Sequence, residues 1–181
     1  MKPSIQSITS LGDYQRAYNW DVEFTLPEYM RNSGFDVKTF NTRCVSVGFP
    51  SVKNAPIDIK VRGVTAKVPG ISTYGGTISV DLLETTDAVV QDFIEKLRSG
   101  IWSLTSGKQV ADDKVKGTLK IRLLKGDHAV DSSSGYVVHG VLFSEAKVVD
   151  SLKDAADVVT PSLTFAYDWY EKLNSGATYD D

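Results

Sequence analysis

Two histidines, His128 and His139, and one cysteine, Cys44, are the whole supply of strong transition-metal ligands in the chain. Structural zinc and related sites draw such ligands from short, repeated spacings. Here one histidine sits in the polar stretch GDHAVDSSSG, the other in an alternating stretch, and Cys44 stands beside Val45 and Val47. The three therefore read as a solvated loop residue, a strand-face residue and an ordinary strand residue, and no metal site is expected. A single cysteine also leaves no partner for an internal disulfide, which suits a reducing compartment.

Other chemistries fail in similar ways. The stretch GIWSLTSGK, Gly100 to Lys108, has the outline of a phosphate-binding loop. Six residues rather than four separate its glycines, Gln109 stands where Ser or Thr is required, and a helical pattern precedes it instead of a strand. Ser, His and Asp coexist at His128 and at 131–134, but a flexible loop cannot hold a nucleophile and base in catalytic geometry. Carboxylates such as Asp21, Glu23, Asp58 and Asp81 are scattered over alternating faces, and nothing singles out a catalytic pair. Trp20, Trp102 and Trp169 are the aromatic platforms a carbohydrate- or peptide-binding module would use, although the stripe Phe165, Tyr167 and Trp169 reads first as core or subunit contact. The residues predict no enzyme and no cofactor.

Composition narrows the class further. A chain of 181 residues with 41% hydrophobic content can bury one good core, so residues 1–181 are expected to form a single domain, with 1–17 a polar arm and 171–181 a polar tail. A formal charge of -3 argues against a protein that grips nucleic acid through a basic surface. The N-terminal twenty residues show no signal-peptide pattern, and no apolar run reaches the length needed to span a bilayer.

Alternation of apolar and polar residues supplies most of the elements. A first strand starts near Asn19, with Trp20, Val22, Phe24 and Leu26 on one face, and ends at Pro27. A surface loop over 28–36 leads into a second extended segment from Val37 to Phe49, stopped by Pro50. Thr85-Thr86-Asp87 opens a helix in which Val89, Val90, Phe93, Ile94, Leu97 and Ile101 recur at helical spacing, with Trp102 and Leu104 anchoring its exit. Strands then follow at Lys116 to Lys125 and at Tyr136 to Val149, the latter buried or bulged. A last strand places Leu163, Phe165, Tyr167 and Trp169 on one face. About seven antiparallel strands and one flanking helix predict a mostly-β sandwich or barrel.

The long stretch Ile57 to Glu84 organises the rest. Ile57, Ile59 and Val61 alternate with Asp58, Lys60 and Arg62, and Ile78, Val80 and Leu82 alternate with Thr77, Ser79 and Asp81. With about a dozen glycine- and proline-punctuated residues between them, these two runs read as the strands of one long projecting hairpin. Such a hairpin leaves backbone donors and acceptors unpaired, so it is expected to serve assembly. Arg62, Gly63, Val64, Lys67, Pro69, Gly70 and Tyr74 are the expected inter-subunit contacts.

The order of these pieces resembles the tail tube proteins of contractile-tailed bacteriophages. The likeness rests on Arg16-Ala17-Tyr18-Asn19-Trp20 leading into Val22 and Phe24, and on KVRGVTAKVPG from Lys60 to Gly70 followed by Tyr74 and the strand Thr77 to Leu82. It rests also on Asp87 opening a helix with Phe93, and on the closing Leu163-Thr164-Phe165-Ala166-Tyr167-Asp168-Trp169. What the resemblance implies is a virion protein, assembled in the host cytoplasm. Homo-hexameric rings would stack into a tube, with a sheath outside, tape measure protein and phage DNA inside, and baseplate proteins at one end. Baseplate tube-initiator and tail-terminator proteins share the implied fold. A lumen through which DNA slides must be acidic or neutral, because six-fold copying multiplies any cation. Asp58, Thr77, Ser79 and Asp81 are the candidates for lining it.

Overall fold

The computed structural model describes residues 17–31, 33–102, 107, 109–124, 134–148 and 158–173. Its centre is a seven-stranded antiparallel sheet built from β1 (Trp20–Thr25), β2 (Cys44–Val47), β7 (Gly76–Leu82), β8 (Gly117–Leu123), β9 (Ser134–Lys147), β10 (Ser162–Tyr167) and β11 (Trp169–Leu173). The order is β1-β8-β9-β10-β7-β2, with β11 also paired to β9. Two helices, α1 (Val37–Arg43) and α2 (Val89–Ile101), pack on it. The expected mostly-β architecture is present, with the sheet open rather than closed into a barrel within one copy.

The sheet bends because β9 serves two partners in succession. Residues 134–139 lie between β8 and β11, and residues 142–147 pair with β10. The corner is Gly140, whose φ of 67° lies in the left-handed region that glycine adopts freely. It is the extra residue between Gly117↔Val141 and Thr118↔His139. A bulge of one residue switches which side chains face inward. Val138 and Val141 are consequently both buried, where strict alternation had put them on opposite faces.

β10 and β11 bend at the same level, at Asp168, whose amide donates to the His139 carbonyl at 3.1 Å. This break corrects the expected stripe. Leu163, Phe165 and Tyr167 are buried, but Trp169 turns outward and stacks on His139 at 4.0 Å between centroids. Tyr170 takes the inward direction, edge to face with Tyr167. β11 runs on to Leu173, into the stretch expected to be tail.

The core lies between the bent sheet and the helices. Phe24 of β1 meets Phe40 of α1 at 5.1 Å, Phe93 of α2 at 6.5 Å and Phe165 of β10 at 5.5 Å, with Leu119, Ile121, Val80 and Leu163 around them. Helix α1 replaces the first half of the extended segment expected at Val37 to Phe49. Its signals are local: Asp36 Oδ1 accepts from the Lys38 amide at 3.0 Å as an N-cap, and Phe40 is swallowed by the aromatic core. The period-two spacing of Phe40, Thr42, Cys44 and Ser46, which suggests an extended chain, runs across a helix-to-strand junction.

Helix α2 covers the sheet with Val90, Phe93, Ile94 and Leu97, as its spacing predicts. Its cap is different. Glu84, itself buried, accepts hydrogen bonds from the amides of Val90 at 3.2 Å and Gln91 at 3.0 Å, placing a carboxylate at the positive helix end. Thr85 instead accepts from Arg43 Nη1 at 2.8 Å. Trp102 does not anchor the exit; it is half-exposed and bridges to Gln109, while Leu104 lies outside the described residues. The N-terminal arm, His128 with its loop, and most of the expected tail also lie outside them.

Two outcomes are expected from this packing. Gly140→Ala forces a side chain into the left-handed region and into the space held by Asp168, so stability is expected to fall by about 1–3 kcal/mol in chemical denaturation. Burial, together with the negative charge of Asp81, pushes the Cys44 thiol up to about 12. The folded state therefore favours the protonated thiol, and its contribution to stability holds below pH 9 and declines as pH rises from there toward 12. Alkylation of Cys44 at mildly alkaline pH is expected to be slower in the folded chain than in urea by on the order of a hundredfold or more. Equal rates in the two states would contradict this.

Candidate assembly interface

The projecting element differs from the expected one in its strand pairing. β4 (Ile57–Val61) pairs not with β7 but with β5 (Val64–Val68), in the register Ile57↔Val68, Ile59↔Ala66 and Val61↔Val64. The chain reverses at Arg62-Gly63, with φ of 49° and 84°. Two successive residues at positive φ make the tight turn whose twist matches a hairpin. Behind it, β3 (Lys53–Asn54) and β6 (Ser72–Thr73) form a short stem, closed by Ala55 N to Ile71 O at 3.1 Å and Ser72 Oγ to Asn54 Oδ1 at 2.6 Å. Residues 53–73 thus form an arm, and β7 returns to the main sheet.

Directly paired residues share a face of an antiparallel ribbon, so the register fixes the chemistry of the arm. One face carries Ile57, Ile59, Val61, Val64, Ala66 and Val68, all apolar. None of these is buried, and Val64 is 71% exposed. The opposite face carries Asp58, Lys60, Thr65 and Lys67. Asp58 accepts a hydrogen bond from Lys67 Nζ at 2.8 Å, and both side chains are well exposed. Among the described residues Lys60 and Arg62 make no ion pair.

The root of the arm is pinned to the core. Tyr167 is buried, and its hydroxyl accepts from the Ser51 amide at 3.0 Å and donates to the Ser51 carbonyl at 3.1 Å. The Gly48 amide donates to Ser79 O at 2.8 Å. Aromatic rings continue this anchor: Tyr74 meets Tyr170 at 6.3 Å, Tyr170 meets Tyr136 at 5.7 Å, and Tyr136 meets Phe49 at 6.0 Å. The arm is therefore fixed at its base, and among the described residues no residue of its two long strands is buried.

The contact residues expected from the sequence fall along this one element. Arg62 and Gly63 form the turn, Val64 and Lys67 lie on β5, Pro69 and Gly70 lead into the stem, and Tyr74 stands half-exposed at the root. Ile57, Ile59, Val61, Ala66 and Val68, which share the exposed aliphatic face, were not among the contact residues expected from the sequence. The signal was there, in Arg62-Gly63 followed by alternation of Val64, Ala66 and Val68 with Thr65 and Lys67.

The four lumen candidates divide. Asp58 is on the arm, whereas Thr77, Ser79 and Asp81 share the outer face of β7, opposite the buried Ile78, Val80 and Leu82. Their cross-strand neighbours are Ala166, Thr164 and Ser162 on β10, and Ser46 on β2, whose hydroxyl donates to Asp81 Oδ2. The result is a smooth face of small and hydroxylated side chains. The sheet carrying it, formed by the second half of β9 with β10, β7 and β2, ends in β2, which among the described residues pairs with β7 alone. At the far side β1 is blunted, since its Phe24 amide donates to Asn41 Oδ1 of α1 at 3.3 Å.

The alternative sites do not gather. Trp20 starts β1 at the end where it pairs with Leu123, while Trp169 pairs with His139, itself opposite Thr118 at the other end of β8. Trp102 closes α2 on a third element. His139 is held by Trp169 and by Glu171 at 2.9 Å, and among the described residues no three His, Cys, Asp or Glu side chains converge as a metal site. No helix of the described residues is long and apolar enough to cross a membrane.

No protein-family model and no curated protein matches the sequence. Solved structures do. A sheath/tube terminator of the extracellular contractile injection system PVC matches with a TM-score of 0.60 at 15% identity, over 91% of this chain and 99% of the other. The tube-terminating cap of the anti-feeding prophage matches with a TM-score of 0.61 at 12% identity, over 90% and 92%. A chain of the PVC sheath-tube complex matches with a TM-score of 0.56 at 15% identity, over 95% and 99%. All three belong to structural particles, and the chain shares the fold of these tube and terminator structures.

Proposed function

We propose that this chain is a non-enzymatic structural subunit of a tail or injection tube, assembling as stacked hexameric rings around a conduit. The observation that carries the reading is the arm, a rooted ribbon with one wholly aliphatic face exposed to water. Single exposed apolar residues need no explanation, but six on one face of an unsupported two-stranded ribbon do. A second copy of the chain is the occupant the tail-tube fold supports.

In this reading the sheet of β2, β7, β10 and the second half of β9 joins its counterparts in neighbouring copies, which removes its open edges. Its hydroxylated face, with Thr77, Ser79 and Asp81, lines the bore, where a transported polyanion such as phage DNA finds no ring of cations to hold it. Asp58 sits elsewhere, at subunit contacts. A sheath outside, a tape measure protein within, and a baseplate at one end complete the particle, which is a virion tail or a phage-derived injection system. A tube-initiator or terminator ring of the same fold is the alternative within this class, favoured by the terminator and cap among the matched structures.

Electron microscopy of the purified chain, negatively stained, is expected to show rings or tubes. Deleting Val64 to Ser72 removes the returning strand of the arm while leaving the main sheet, and is expected to yield a folded monomer by circular dichroism and sedimentation. Rings formed normally by the deletion variant would overturn the assembly role of the arm. Dispersed monomers of the unaltered chain that bind a sugar or peptide would favour a binding module instead.

A further inference from the structure

A two-stranded ribbon has two faces, and here both are open and chemically opposite. The aliphatic face has been described. On the other, Lys67 is occupied by Asp58, while Lys60 and the turn residue Arg62 meet no carboxylate among the described residues. The charge is also segregated along the chain. Residues 53–73 contain Lys53, Lys60, Arg62 and Lys67 against Asp58, a charge of +3 in a chain of -3, so the remaining residues carry -6. A cationic projection on an acidic body is complementary to another copy of itself.

We infer that the arm is inserted between two further copies of the chain, its aliphatic face packed on one and its cationic face, Lys60 and Arg62, set against carboxylates of the other. This inference rests on the tube-subunit reading and adds a division of labour to it. Apolar burial is insensitive to screening and strong over a whole ribbon face, so the aliphatic side closes the ring. Exposed charge pairs are weak singly and screened by salt, so the cationic side joins one ring to the next. Six-fold repetition makes the second contact cooperative without making any single pair strong.

Two double variants separate the faces, and both alter exposed residues, so the monomer fold is expected to persist by circular dichroism. Ile59→Asp with Val64→Asp is expected to give monomers at any salt concentration. Lys60→Glu with Arg62→Glu is expected to give rings that do not stack, and unaltered tubes are expected to come apart into rings as salt rises from roughly 0.05 M to roughly 0.5 M, where the screening length falls to several ångströms. If the charge-reversed chain is monomeric, or stacks normally, the two-partner inference is overturned while the tube reading stands. If the unaltered chain forms neither rings nor tubes under any of these conditions, the tube reading itself fails and takes the inference with it.

Discussion

An aliphatic ribbon face that no described residue of its own chain covers is the constraint on which the rest of the structure depends. β4 and β5 place Ile57, Ile59, Val61, Val64, Ala66 and Val68 side by side and leave all of them accessible. Burying one such side chain is worth roughly 1.5–3 kcal/mol, so the face as a whole represents a substantial drive toward association. An isolated hairpin is marginal in water, so in the proposed assembly a partner would add to the order of the arm. In the proposed assembly the apolar face contributes more to association than to the fold of a single copy.

The remainder of the fold serves to hold that ribbon at a defined place. The clasp between Tyr167 and the Ser51 backbone ties the outgoing strand of the arm to β10, and β7 carries the returning strand straight into the sheet. β10 is in turn positioned by the corner at Gly140 and Asp168, which sends β9 from one part of the sheet to the other. The aromatic core around Phe24, Phe40, Phe93 and Phe165 then locks both helices onto the sheet. A displacement of the Gly140 corner would thus reach the arm through β10 and Tyr167.

Much of this was legible in the residues. β1, β8, β10 and helix α2 follow from local periodicity because each has one buried and one solvated face, and the edge-strand logic singled out 57–84, the stretch that contains most of the projecting arm. The pairing within that stretch was not legible from Ile57 and Ile78 alone. Both runs alternate equally well, and only the positive-φ turn at Arg62-Gly63 selects β5 over β7 as the partner of β4. Helix α1 was hidden because its seven residues are too few to display a helical period, and a single core phenylalanine decides its placement. Glu84 was overlooked as the cap of α2 because it reaches past five residues to the helix amides it satisfies. Of the lumen candidates, the three on β7 stayed together because alternation fixes a face, while Asp58 went with the strand whose pairing had been misassigned.

Amide hydrogen exchange over residues 57–68, compared between the dispersed chain and its assembled form, tests the central claim most directly. In the dispersed chain the arm is expected to exchange orders of magnitude faster than β7 and β10, since only one ladder of exposed hydrogen bonds protects it. On assembly its protection is expected to rise to the level of those core strands. Arm amides that exchange at the same rate before and after assembly would contradict the account, because the aliphatic face would then have remained in water.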